Sequence, residues 1–156
     1  STADYMAAQM NAQKGPVGTQ NYRIHLQIAP IAGGKTFMHL QYAYGYGMAG
    51  RMAMQGYLTP LGSGKVGFTV LERQPGSPKI HVDGMRGAVE RNTMRYYLAI
   101  DAYLASLSAP PAEQVEKRLA YWFDATERYP HQLREIDRTA YKTMKRSEHQ
   151  RQLAGQ

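Results

Sequence analysis

The clearest pattern along the chain is alternation with period two. Tyr22, Ile24, Leu26 and Ile28 project to one side of an extended chain, with Arg23, His25 and Gln27 on the other, which predicts a half-buried strand over residues 21–31. Beyond Gly33-Gly34 the alternation resumes as Met38, Leu40, Tyr42, Tyr44 and Tyr46 against His39, Gln41, Ala43 and Gly45. The two runs predict an antiparallel hairpin, and parity selects its loop. Opposed residues share a face and both apolar sets are even-numbered, so opposed positions must sum to an even number. A two-residue Gly33-Gly34 loop would oppose Ile28 to His39 and mix the faces. A three-residue loop, Ala32-Gly33-Gly34, opposes Ile28 to Met38 and Leu26 to Leu40, with Gly34 free to take the left-handed position of a bulged turn.

Elsewhere the pattern is coarser. Residues 3–12 alternate loosely before a turn at Gly15-Pro16 and Gly18, which predicts a further strand. Residues 48–58 read as a short helix weakened by Gly50 and Gly56 and closed near Pro60. Lys65–Glu72 and Lys79–Val82 look extended, separated by a turn at Pro75–Pro78. From Arg86 to Leu107 the period becomes helical, with Val89, Tyr96/Tyr97, Ile100, Tyr103/Leu104 and Leu107 in one broad apolar stripe. After Ser108-Ala109-Pro110-Pro111 a second helix is predicted over 111–128 through Val115, Leu119, Trp122 and Phe123, with Pro suited to its first turn. Tyr129-Pro130 ends it, and residues 131–152 predict a third long helix through Leu133, Ile136, Ala140, Tyr141 and Met144. The pattern is α+β: an antiparallel sheet and a long helix within residues 1–107, then two C-terminal helices in a 108–156 extension.

Composition narrows the classes. The 156 residues suit one domain, or one and a small appendage. With no Cys, disulfide scaffolds, zinc ribbons, iron–sulfur clusters and thiol nucleophiles are excluded. No apolar run approaches the roughly 18 residues of a membrane-spanning helix. The net charge of +7 is uneven: residues 1–80 carry seven Lys/Arg against Asp4 and Glu72, and residues 81–156 carry twelve against ten acids. The opening Ser1-Thr2-Ala3-Asp4-Tyr5 has neither an initiator Met nor a signal-peptide pattern, and reads as the start of a processed or truncated piece.

Candidate chemistry is sparse. Ala29-Pro30-Ile31-Ala32-Gly33-Gly34-Lys35-Thr36 resembles a phosphate-binding loop, but that chemistry needs a helix after the loop, and Thr36–Tyr46 alternates as a strand. Gly62-Ser63-Gly64-Lys65 lacks the first glycine and the hydroxyl after the lysine. The five His, at 25, 39, 81, 131 and 149, form no metal-ligand spacing, although His25 and His39 are expected on adjacent strands. There is no Gly-x-Ser-x-Gly elbow, and the hairpin offers no paired carboxylates, so an acid–base hydrolase is disfavoured. No catalytic set, metal set or cofactor motif is assigned. The face formed by Arg134, Arg138, Lys142, Lys145 and Arg146 invites a nucleic-acid reading, against which stand the interspersed Glu135, Asp137 and Glu148.

Two features remain. The tyrosine-ended apolar face of the hairpin offers hydrophobic area with hydroxyls at intervals, suited to a mostly apolar ligand with a few polar handles. Arg91 and Arg95, one helical turn apart, could jointly hold a carboxylate or phosphate; structural salt bridges at a helix start are the alternative.

Gly15-Pro16-Val17-Gly18-Thr19 with Tyr22-Arg23-Ile24, then Tyr42-Ala43-Tyr44-Gly45-Tyr46-Gly47, Lys65-Val66-Gly67-Phe68-Thr69 and the run from Gly84 to Tyr97 resemble a family of uncharacterised, exported proteobacterial proteins. That family is similar to the START-like helix-grip superfamily of lipid-binding folds, and the resemblance extends through Trp122-Phe123 and Glu127-Arg128-Tyr129-Pro130. It implies an antiparallel sheet curled around a long helix with an apolar cavity between them, and a periplasmic or secreted location. It also implies that this chain is the C-terminal portion of a longer protein, with an incomplete sheet open to strand exchange or to packing against a second copy.

The expectation is therefore non-enzymatic binding of a lipid or other hydrophobic molecule. Leu26, Met38, Leu40, Tyr42, Tyr44 and Tyr97 are expected to line the site, with Arg91 and Arg95 as polar anchors. A protein-interaction or oligomerisation module using the terminal helices, Trp122 and Phe123 among them, is the alternative. Nucleic-acid binding comes third.

Overall fold

The computed structural model describes residues 4–15, 18–48, 50, 52, 64–72 and 78–155. The fold is α+β, with an open three-stranded antiparallel sheet, a small two-stranded sheet, one long helix and further helices after it. The chain divides into two compact units, Ser1–Thr93 and Met94–Gln156.

In the first unit, β1 (Met6–Lys14), β2 (Thr19–Ile31) and β3 (Lys35–Tyr46) lie in chain order. The β2–β3 register opposes Ile28 to Met38 and Leu26 to Leu40, as the three-residue turn required. Gly33 and Gly34 both take positive φ, 78° and 67°, in that turn, where a side chain would strain the backbone. β1 adds Met6, Ala8, Met10 and Ala12 to the even-numbered face by pairing with Ile28, Leu26, Ile24 and Tyr22. Near the other end of β2 the register shifts between Gln20 and Arg23, with Asn21 at φ 53°, so Thr19 rather than an even-numbered residue lies opposite Tyr46.

Residues 65–72 are less regular than the extended strand predicted for them. Only Val70–Glu72 (β4) forms a strand, paired with β5 (Ile80–His81). The reason is a tertiary partner. The N–H groups of Phe68 and Thr69 donate to Glu90 Oε2 at 2.8 and 2.9 Å, and the Thr69 hydroxyl donates to Glu90 Oε1 at 2.7 Å. Gly67 N donates to Val82 O at 2.6 Å, in a space so narrow that a Cβ at Gly67 would fall 2.9 Å from Gly87 Cα. Burial pushes the Glu90 carboxyl up, but the hydrogen bonds from Thr69 and Phe68, with that from Arg86, outweigh it and hold Glu90 below its ordinary value. The short helix predicted over 48–58 lies almost wholly outside the described residues.

The long helix α1 is Gly84–Ser106, and α2 is Pro111–Glu127 with Pro111 in its first turn. The third predicted helix is instead two. α3 (Pro130–Leu133) ends where Arg134 turns extended at ψ 125°, and α4 (Arg138–Leu153) starts on Asp137, whose side chain accepts from Ala140 N. The apolar stripe predicted on α1 is also displaced. Tyr96, Tyr97, Tyr103, Leu104 and Leu107 are 40–50% exposed, whereas the buried positions of the second unit's α1 segment are Leu98, Ala102 and Ser106. Tyrosine tolerates exposure because its hydroxyl stays hydrated, so counting it as apolar misplaces the inward side.

In the second unit the core joins α2, α3 and α4 through Phe123, Ala125, Leu133 and Tyr141, each 1–6% exposed. The Tyr141 ring stacks on Trp122 at 4.9 Å between centroids and meets Phe123 at 5.6 Å. Burial, and secondarily the charge of Glu148, pushes the Tyr141 hydroxyl up to about 12.

Candidate functional site

On the sheet, the alternating side chains make the face that the pattern predicted. Tyr22 stacks on Tyr44 at 5.3 Å, Tyr42 and Tyr44 lie 5.6 Å apart, and Tyr46 continues the row at 6.2 Å from Tyr44. Leu26 is buried, and Met38, Leu40, Tyr42 and Tyr44 are half-buried. Burial raises the Tyr44 hydroxyl above its ordinary value, with smaller contributions from Tyr22 and Tyr46. The opposite face is polar: Gln27 donates to Tyr5 Oη at 2.8 Å and meets His39 Nδ1 at 3.1 Å. His39 is thus engaged with an amide, and no cluster of metal-ligating side chains occurs among the described residues.

A cavity of about 590 Å³ lies in the second unit, within residues 95–145. Its apolar wall comes from Leu119, Trp122 and Phe123 of α2, Leu133 and Ile136 beyond it, and Met144 of α4. The two C-terminal stripes seen in the sequence converge here, where Tyr141 of α4 packs on Trp122 and Phe123 of α2. Two ion pairs line the cavity, Arg95 with Glu135 and Arg134 with Glu127, and Lys145 of its wall pairs with Glu148, which lies outside the lining. Trp122 Nε1 donates to the Arg95 carbonyl at 3.3 Å, which holds the indole against the wall.

Set against family models, curated proteins and solved structures, the chain matches none.

Of the eight residues expected in a ligand site, Arg95 alone lines this cavity. Leu26, Met38, Leu40, Tyr42 and Tyr44 are gathered on the sheet in the first unit. Arg91 is 6% exposed, an interior position, and Tyr97 is 43% exposed. Arg95 is engaged with Glu135, so acting as an anion anchor would require displacing that carboxylate. Sequence reasoning missed Leu133, Ile136, Tyr141 and Met144 as lining residues, although it placed all four on one stripe. The missing step was that this stripe closes on the Trp122/Phe123 side of α2.

The basic side chains of residues 134–146 are all engaged in ion pairs, five cations on four carboxylates. Arg134 pairs with Glu127, Arg138 with Asp124, Lys142 and Arg146 with Glu116, and Lys145 with Glu148. Arg146 grips Glu116 with two hydrogen bonds of 2.6 and 2.8 Å, which hold that carboxyl below its ordinary value. No helix among the described residues is long and apolar enough to cross a membrane.

Proposed function

We propose that this protein binds a hydrophobic small molecule without catalysing its conversion, and that the molecule sits in the cavity of the second unit. The observation that carries this reading is the cavity itself. Its volume of about 590 Å³ lies within the roughly 300–1,000 Å³ of small-molecule sites, and its wall is aromatic and aliphatic with a polar rim. Kinship with the START-like helix-grip proteins, and with it a periplasmic or secreted location, belongs to the same proposal and rests on the sequence motifs that resemble that family. The tyrosine face of the sheet remains the second place where such a ligand is proposed to lie.

The chain has a single Trp, and that residue lines the cavity, so its emission reports occupancy. Titration with decanol is expected to change Trp122 fluorescence saturably. Ala99→Phe, a substitution at an exposed helical position on the cavity wall, is expected to abolish the change by filling the space. A flat titration of the folded wild-type chain would sink the reading.

Self-association is a second reading, favoured by the exposed Tyr97 and Leu104 of α1 and Leu107 just beyond its end, at 43%, 50% and 49%. Light scattering decides it: a wild-type dimer that Leu104→Glu converts to monomer supports it, and a wild-type monomer refutes it. Nucleic-acid binding loses its footprint to the ion pairs on the basic face.

A further inference from the structure

Four cations line the cavity, and one differs from the others. Arg95, Arg134 and Lys145 each sit on a carboxylate, whereas Arg118 has only neutral partners. Its Nε donates to Ser106 Oγ at 2.8 Å, its Nη2 donates to Gln114 Oε1 at 2.9 Å, and its guanidinium carbon lies 4.5 Å from the centre of the Tyr103 ring. These interactions hold the side chain in one orientation. Ser106 is 1% exposed, and its hydroxyl is committed in turn to the Tyr103 carbonyl at 2.7 Å.

The guanidinium has five N–H groups. The donations to Ser106 and Gln114 leave both on Nη1 and one on Nη2, enough for a two-point pairing with a carboxylate. A half-buried cation without a counter-charge is costly beside apolar walls, and an anionic ligand group relieves that cost. Arg118 is also shared between this cavity and a smaller one of about 210 Å³, which places it at the junction of two spaces.

We propose that the cavity takes a single-chain amphiphile with a carboxylate head, the tail lying on Trp122, Phe123, Leu133, Ile136 and Met144 and the head pairing with Arg118. This rests on the cavity being a site for hydrophobic molecules, and the test separates the two ideas. Trp122 emission is titrated at neutral pH with decanoate and with decanol, which share a tail length and differ in the head. Decanoate is expected to bind roughly tenfold more tightly than decanol. Arg118→Gln is expected to weaken decanoate alone and bring the two to parity.

If neither probe binds, the hydrophobic-ligand reading fails and this inference falls with it. If decanol binds and decanoate binds no better, or if the preference survives Arg118→Gln, this inference fails and that reading stands. Should Arg118→Gln lose the native circular dichroism spectrum, the comparison passes to Arg118→Lys, which keeps the charge and loses the planar fork. A preference reduced severalfold in that variant supports the inference, and an unchanged preference overturns it.

Discussion

Glu90 shows how much one carboxylate can organise. It accepts from two successive backbone N–H groups and a hydroxyl, and its side chain is 21% exposed. Its folded-state pKa lies below the ordinary 4.5, so the unfolded state takes up a proton more readily. The stabilisation is therefore present above about pH 4.5 and is lost as pH falls through the depressed folded-state value. Glu90→Gln is expected to cost about 1–3 kcal/mol at neutral pH, because a neutral amide replaces an acceptor of charge-assisted bonds. Denaturant unfolding from neutral to acidic pH checks it: the variant's stability is expected to fall less steeply below pH 4.5 than that of the wild type. A wild-type acid limb retained in full by the variant would refute the assignment. None of this was legible in the sequence, where Lys65–Glu72 shows only a strand pattern and Glu90 lies about twenty residues away.

At the scale of elements, legibility follows the range of the forces. The β2–β3 hairpin was readable to its register because a period of two and a parity condition are local properties, and Gly33-Gly34 supplies the turn. The break between α3 and α4 has a local cause as well, yet the apolar stripe through Leu133, Ile136 and Tyr141 conceals it. Asp137 accepts from Ala140 N at 2.9 Å and so satisfies one of the N–H groups that open α4. Asp137→Ala is expected to cost about 0.5–2 kcal/mol and to fray the first turn of α4, while Asp137→Asn retains most of the stability. Hydrogen exchange at residues 138–141 measures it, and unchanged protection in the alanine variant would rule the cap out. The inward side of α1 was misread for a different reason: Ala102 and Ser106 carry little hydropathy signal, whereas the tyrosines beside them carry much. For the site, both C-terminal stripes were visible in the sequence. That they enclose a cavity, with Arg118 in its wall, depends on how the helices pack.

At the scale of the whole molecule the charge distribution changes meaning once the pairs are known. The five basic residues of 134–146 are all in ion pairs, on four carboxylates with Glu116 shared by Lys142 and Arg146, so the helical unit presents a mosaic rather than a field. The sulfur inventory is a second property of the whole chain. There are nine Met and no Cys, so a peroxide reaching this protein meets thioethers and no thiol. Met144 is 49% exposed and forms part of the cavity wall, next to the Trp122–Tyr141 stack. Conversion to the sulfoxide would put a strong dipole where the apolar tail of a ligand is proposed to lie. Peroxide-treated protein is expected to bind decanol several-fold more weakly and to recover on treatment with methionine sulfoxide reductase, and Met144→Leu is expected to abolish both changes. The side chain that completes the apolar wall is thus expected to make the cavity responsive to the redox state of its surroundings as well.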